Sequence, residues 1–382
     1  MAVSELQDIL NKANIPTPPK GWNSGATFDG TEGEATSKPM PVGADFEPAD
    51  VLRENGFDPD LYEIDGLTFS IWDAQTKEGT EKFTSRRFKF RRKALTEELA
   101  SVDDLLALIA AAPKPPRAKT ATADNVTVFA VGDLQLGKGN GDGTEGIVRR
   151  FLSSLASAVG RYNEAPTGSV LIAFLGDCIE GVVSQGGRNI GENDLSLTDQ
   201  LKVLRHLMTQ TILQFEETGA RLTILSVAGN HDEPYRSPVN AKPTDSFAID
   251  SLRAVEEAFS LAGRSGLTFV YPKESELAVF AEVGGVRFLA AHGHQWRTGK
   301  HYAWWQGQSF SRQTGHDAQW LLSGHRHHFF IDTESDRYFL QVPALEERSD
   351  WWRNKTGQVG NPGAVYLEIE PSGAHRVIAL VQ

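Results

Sequence analysis

VTVFAVGDLQLG, residues 126–137, is the stretch whose reading decides the fold. Val126, Val128, Phe129 and Val131 form a short apolar, β-branched run. It stops at Gly132-Asp133, with Gln135 two residues on and a glycine-rich turn behind. Such a run is expected as a buried strand that delivers a carboxylate to its C-terminal end. Working outward, the arrangement recurs in VLIAFLGDCIEG (170–181), LTILSVAGNHDE (222–233) and VRFLAAHGHQW (286–296), and WLLSGHRHH (320–328) adds three histidines. A single Gly-Asp at a strand end is usually an ordinary turn, because both residues are turn formers. Five ends carrying Asp133, Asp177, Asn230, His231, His292, His325 and His327 point instead to one crevice, since the carboxyl ends of strands in open α/β sheets converge. Carboxylate, amide and imidazole without thiolate suit Mn²⁺, Fe, Zn²⁺ or Mg²⁺.

Composition bounds the rest. A chain of 382 residues has room for one large core and an appendage. A net charge of −12 argues against whole-surface nucleic-acid binding, although a local basic patch remains compatible with it. Cys178 is the one cysteine, so no intramolecular disulfide forms, and its place beside Asp177 reads as a small buried residue. MAVSELQDIL lacks a basic region followed by an apolar one, and no apolar run approaches the ~18 residues of a membrane span. The expectation is a soluble, cytoplasmic protein without a membrane partner.

Taken in order, residues 1–44 are expected as a flexible arm after a short helix, because 15–43 is dense in Pro, Gly, Ser and Thr. Residues 45–112 are expected as a small α+β accessory domain. It comprises a short helix at 49–56, two strands around TKEGT, and an amphipathic helix over 95–112 with Leu95, Leu99, Leu105, Leu106 and Ile109. In the second of these strands Phe88 and Phe90 face one way, and Arg87, Lys89, Arg91 and Lys93 the other. That row is a candidate nucleic-acid contact, phosphate binding being dominated by Lys and Arg. As an alternative, the charges protect an edge strand from aggregation. PKPPRAKTATAD (113–124) reads as a proline-stiffened linker, and the catalytic domain is expected over 125–382. There, helical spacing over 146–162, 198–217 and 244–262 alternates with strands, which implies βαβ units and a largely parallel sheet. Beyond 267 the pattern becomes one of hairpins around Gly284-Gly285, Glu334-Ser335-Asp336 and Pro371-Ser372-Gly373.

The loop 132–138 also has the opening spacing of a phosphate-binding loop. Gly139, however, stands where the Ser or Thr that binds Mg²⁺ is required, and that reading leaves the downstream histidines unexplained.

The ordered series GDLQLG, GDCIEG, GNHDE, HGH and GHRH, spanning Asp133 to His327, resembles the five signature blocks of the calcineurin-like metallophosphoesterase superfamily. The resemblance implies an α/β fold, with α+β elements toward the C-terminus, in which a β-sandwich is flanked by helices. It also implies a phosphoesterase with two divalent ions. By position, Asp133, Gln135, Asp177 and His327 would hold one ion, and Asp177, Asn230, His292 and His325 the other. His231 would protonate the leaving oxygen, and Glu180 would orient His231. His294 and His328 are taken as neighbours rather than ligands. Gln135 departs from the pattern, which usually has histidine there; a neutral amide oxygen is a weaker, harder ligand and favours Mn²⁺ or Mg²⁺.

The spelling DLQLG with Lys138, together with GNHD, resembles the nuclease branch typified by the SbcD exonuclease more than the Ser/Thr phosphatases, whose second block carries an arginine where this chain has Gly181 and Val182. The layout is also similar to metallophosphoesterases encoded by bacteriophages, which would place the protein in a host cytoplasm. The resemblance therefore implies a Mn²⁺-dependent phosphodiesterase acting on nucleic acid, with a partner ATPase or a homo-oligomer as companions that no residue specifies. The alternatives are a phosphomonoesterase acting on a phosphoprotein or small metabolite, and a non-catalytic nucleic-acid-binding module. The pairs Trp304-Trp305 and Trp351-Trp352, the latter followed by Arg353 and Lys355, read either as base-stacking platforms or as core.

Overall fold

The computed structural model describes residues 18–28, 32–59, 62–76, 79–92, 101–113, 123–236, 241–347 and 360–382. The chain divides into two compact units, Met1–Glu98 and Leu99–Gln382.

Among its described residues the first unit is a five-stranded antiparallel sheet with one helix. Its elements are β1 (Gly25–Phe28), β2 (Glu32–Thr36), β3 (Met40–Pro41), α1 (Pro48–Glu54), β4 (Tyr62–Thr76) and β5 (Gly79–Arg92). Pro48 opens α1, where its missing N–H costs nothing, and Gly56 ends it with φ 84°. Alternation along β5 buries Phe88 and Phe90 in one cluster with Val51 and Leu52 of α1, and the Phe90 ring stacks on Phe28 at 5.6 Å.

Two expectations are corrected in this unit. Residues 25–41, read as part of a flexible arm, supply three strands, because β2 and β3 find hydrogen-bond partners on distant β5. β5 is also no edge strand: β4 pairs along one side, β2 and β3 along the other. Its charges therefore have no edge to protect. Lys93 lies outside the described residues.

The second unit begins with α2 (Val102–Ala110), capped by Ser101, whose Oγ accepts from Asp104 N at 3.3 Å. Leu105 and Ile109 join a core built with later helices, so α2 belongs to this unit and not to the accessory domain expected over 45–112. Leu95 and Leu99 lie outside the described residues. Then follow β6 (Ala123–Val131), α3 (Gly143–Glu164), β7 (Thr167–Phe174), α4 (Leu197–Glu216), β8 (Arg221–Ser226), α5 (Phe247–Leu261) and β9 (Leu267–Val270). The C-terminal half supplies β10 (Ala278–Val283), β11 (Val286–Ala291), α6 (His301–Phe310), β12 (Trp320–Ser323), β13 (Phe330–Glu334), β14 (Arg337–Gln341), β15 (Ala364–Ile369) and β16 (His375–Val381).

These strands make two sheets. Six run in the order β16-β15-β6-β7-β8-β9, with β6 to β9 parallel. Five run in the order β10-β11-β12-β14-β13, with β11, β12 and β14 parallel in the middle. Period-two alternation assigns the faces. Val126, Val128 and Ala130 of β6 share a core with Val279, Phe288, Ala290, Trp320 and Leu340 of the second sheet, which makes a sandwich. Phe129 and Val131 point the other way, into a core with Phe151, Leu155 and Phe215 of the helices. On the far side of the second sheet, α6 packs Trp305 onto Leu289, Leu321 and Phe339. The fold is a mixed α/β sandwich with helices on both outer faces, as the motif series implies. Each fully buried Phe or Leu contributes about 1.5–3 kcal/mol, which holds the layers in place.

Candidate metal centre

All five motif loops leave the C-terminal ends of β6, β7, β8, β11 and β12, the first three from one sheet and the last two from the other. The first two loops are zipped together by backbone: Asp133 N donates to Gly176 O and Gln135 N to Asp177 O, both at 2.9 Å, and Glu180 N to Leu136 O at 2.8 Å. Within the second sheet Gly324 N donates to His292 O at 2.9 Å, and across the sandwich His325 N donates to Asp133 Oδ2 at 2.7 Å. Asp133, Gln135, Asp177, His325 and His327 all have positive φ, between 47° and 70°, and make up five of the seven such non-glycine residues described. Left-handed backbone is costly for residues with a Cβ, and its concentration here marks a site the surrounding structure over-determines.

Asp177, His292 and His325 present ligand atoms that all lie within 4.8 Å of one another. Nδ1 of His292 is held by Leu175 O at 2.7 Å, which leaves Nε2 turned toward Asp177 Oδ2 at 3.0 Å. That pair lies off the line an N–H···O bond requires, so the two atoms lie close without a hydrogen bond between them. Oδ1 of Asn230 is buried with no hydrogen-bond partner among the described residues, an arrangement that is unfavourable unless something else fills it. Asp177, Asn230, His292 and His325 thus fit a divalent ion: hard oxygens, two imidazoles, and a histidine whose second nitrogen is anchored on a carbonyl.

The other set fits less evenly. Asp133 Oδ1 lies 3.4 Å from His327 Nε2, and His327 Nδ1 is held by Glu346 Oε1 at 2.7 Å. Burial opposes charge on His327, but Asp133 and Glu346 outweigh it and hold its pKa up at about 10. Gln135 is buried beside them, yet its Oε1 accepts from Lys138 Nζ at 3.0 Å.

His231 Nδ1 lies 2.8 Å from Ser184 Oγ and 3.3 Å from Glu180 Oε2, while its Nε2 faces Asp177 Oδ2 at 3.9 Å. Its backbone N donates to Asp177 Oδ1 at 2.7 Å. Burial lowers the pKa of His231, but Asp177 and then Glu180 reverse this and raise it to about 9. Asp232 is fully buried and accepts from the backbone N–H of Gly229, Cys178 and Ile179, which ties the third loop to the second. Burial, then the charge of Asp177, push its own pKa up to about 7.

His294 lies beside the site, its ring 5.5 Å from that of His292 and its Nδ1 buried without a partner among the described residues; His328 turns its Nδ1 to Arg326 O at 2.7 Å. Trp305 is 1% exposed, and Trp304 packs partly buried against the same cluster, so this pair is core. Trp351, Trp352, Arg353 and Lys355 lie outside the described residues.

Arg87, Lys89 and Arg91 belong to the first unit, whereas every motif loop belongs to the second. The neighbours of these three are acidic: Arg87 pairs with Glu34 at 3.3 Å, Arg91 with Glu63 at 3.1 Å, and Lys89 stands in register between Glu34 and Asp65. The row is therefore largely neutralised, a fact invisible before the register is known.

Sequence reading missed Ser184, Asp232, Lys138 in its present role, and Glu346. Asp232 sits inside GNHDE and was legible as a type. VPALEER (342–348) carries no motif, so nothing marked Glu346.

No family model matches the chain, and no curated protein matches it either. Among solved structures, a single mutant of Vps29 from Entamoeba histolytica is 15% identical over 67% of this chain and 99% of its own, with a TM-score of 0.32. A predicted phosphoesterase from Streptococcus pneumoniae is 13% identical over 64% of this chain and 84% of its own, with a TM-score of 0.29. An archaeal phosphodiesterase is 12% identical over 66% of this chain and 99% of its own, with a TM-score of 0.30. Among the described residues no helix is long and apolar enough to cross a membrane.

Proposed function

We propose that the chain is a metal-dependent phosphodiesterase whose substrate is nucleic acid. The observation that carries the enzymatic reading is the convergence of Asp177, His292 and His325, whose ligand atoms lie within 4.8 Å of one another, together with an Asn230 Oδ1 that is buried without a hydrogen-bond partner among the described residues. Bound divalent ions, Mn²⁺ foremost, would polarise the phosphoryl oxygens and acidify the attacking water. Asp177 is the shared carboxylate: Oδ2 faces His292, and Oδ1 fixes the backbone of His231. His231, tied back through Nδ1 to Ser184 and Glu180, presents Nε2 toward the centre and is placed to protonate the leaving oxygen. The diester and nucleic-acid assignments are supported by the DLQLG and GNHD spelling and by Gly181 and Val182 in place of the phosphatase arginine. The neutralised row on β5 does not add to them.

The test is turnover of single-stranded DNA, a bis-aryl phosphodiester and an aryl phosphomonoester, each with and without Mn²⁺. Diester and DNA cleavage that disappears on chelation is the expected result. Activity on the monoester alone would replace this reading with a phosphomonoesterase, and no activity on any substrate would leave a binding module.

A further inference from the structure

The Asp133 side of the centre contains a lysine that the motif series does not call for. Lys138 is anchored by its backbone: its N donates to Gln135 O at 3.1 Å, and the residue bridges to Asn193. Its side chain is 18% exposed and ends between two oxygens, Gln135 Oε1 at 3.0 Å and a carboxylate oxygen of Glu346. The other Glu346 oxygen holds His327 Nδ1 at 2.7 Å and so aims Nε2 at Asp133. The ammonium group therefore sits where an ion bound to Gln135 would have to approach. An ammonium group is donor-only, so it occupies one of the two lone pairs of the amide oxygen and leaves an ion only the other. A divalent ion on that same oxygen would face a like charge at close range.

We propose that Lys138 is a positioning residue that takes the Gln135 corner of the site in place of a metal ion, which makes the two ion positions of this chain unequal. Asp177, Asn230, His292 and His325 would hold the tight ion; Asp133, His327 and the shared Asp177, without Gln135, would hold the weak one. Lys138 also carries the geometry onward: it balances the charge on Glu346, which in turn holds His327. The inference rests on the metal-dependent reading above, and it assigns Gln135 as an acceptor for lysine where position in the motif implied a ligand.

The sign of one change separates the possibilities. If Lys138 merely orients Gln135 as a ligand, its loss weakens metal binding, since partners behind a ligand typically contribute about 10–100-fold in affinity. If it competes with the ion, its loss strengthens the weak position by releasing two oxygens and removing a positive charge. The experiment is calorimetric titration of Mn²⁺ into the metal-stripped full chain, compared for wild type, Lys138→Met and Gln135→Leu, with near-ultraviolet circular dichroism to check folding. Expected are one tight ion and a second at least ~10-fold weaker in wild type, with the second strengthened ~10–100-fold in Lys138→Met and changed by less than ~3-fold in Gln135→Leu. Weaker or unchanged binding in Lys138→Met, or loss of an ion in Gln135→Leu, overturns the proposal; if Lys138→Met does not fold, Gln135→Leu decides alone. Two equal ions in wild type would remove this inference and leave the metal-dependent reading standing. No bound Mn²⁺ would remove both.

Discussion

Asp177 Oδ2 lies 3.0 Å from His292 Nε2, and the two residues come from the ends of strands in different sheets. The carboxylate is therefore the point at which the sandwich closes over the centre. Asp177→Asn keeps the shape and removes the charge. Turnover should be abolished, and bound metal, counted by elemental analysis after dialysis, should fall below the wild-type value. Full activity in this variant would refute the site.

His231, the general acid of the proposed function, is held by Ser184 and Glu180 through Nδ1. His231→Gln should lower turnover by roughly 10²–10⁴-fold with metal content intact. The loss should shrink for substrates with good leaving groups, which need little protonation; an equal loss on all substrates rules the general acid out. Ser184→Ala removes one orienting bond worth about 0.5–1.5 kcal/mol, so a loss of roughly 3–10-fold is expected, again largest for poor leaving groups.

Gly229 packs against the Asp177 loop so closely that a Cβ would meet Asp177 N at 2.0 Å and Oδ1 at 2.1 Å. These are backbone and ligand atoms with no room to move. Gly229→Ala should destabilise the chain by about 1–3 kcal/mol in urea unfolding and weaken metal binding together with it. A variant of wild-type stability would mean that the two loops are not packed as described.

The row on β5 has its own check. Replacing Arg87, Lys89 and Arg91 with Gln should leave the slope of log DNA affinity against log salt unchanged, because Glu34, Glu63 and Asp65 already balance these charges. Stability should change by less than about 1 kcal/mol per exposed pair. A slope that falls by about 0.7–0.9 per removed charge would return the row to the nucleic-acid surface.

What the sequence determined by itself was local. Apolar runs such as Val126–Val131, ended by Gly and a ligand residue, are read within a few positions, and period two along them already separates Val128 from Phe129. The helices α3, α4 and α5 and the hairpins after 267 were legible for the same reason, whereas α6 was not. Tertiary structure decided everything that depends on which run pairs with which. The split into two sheets placed His292 and His325 opposite Asp177 and Asp133, and pairing on both sides of β5 turned a basic row into a balanced one. Left-handed backbone at Asp133 and His327 has no counterpart in composition, since it follows from the loops being clamped to one another. The lysine that claims Gln135 could not be foreseen either: Lys138 and Glu346 are 208 positions apart, and only the packing of the Glu346 loop against Asp133 brings the carboxylate to the ammonium. Hydrogen bonds and ion pairs act over a few ångströms in space, whatever the separation along the chain.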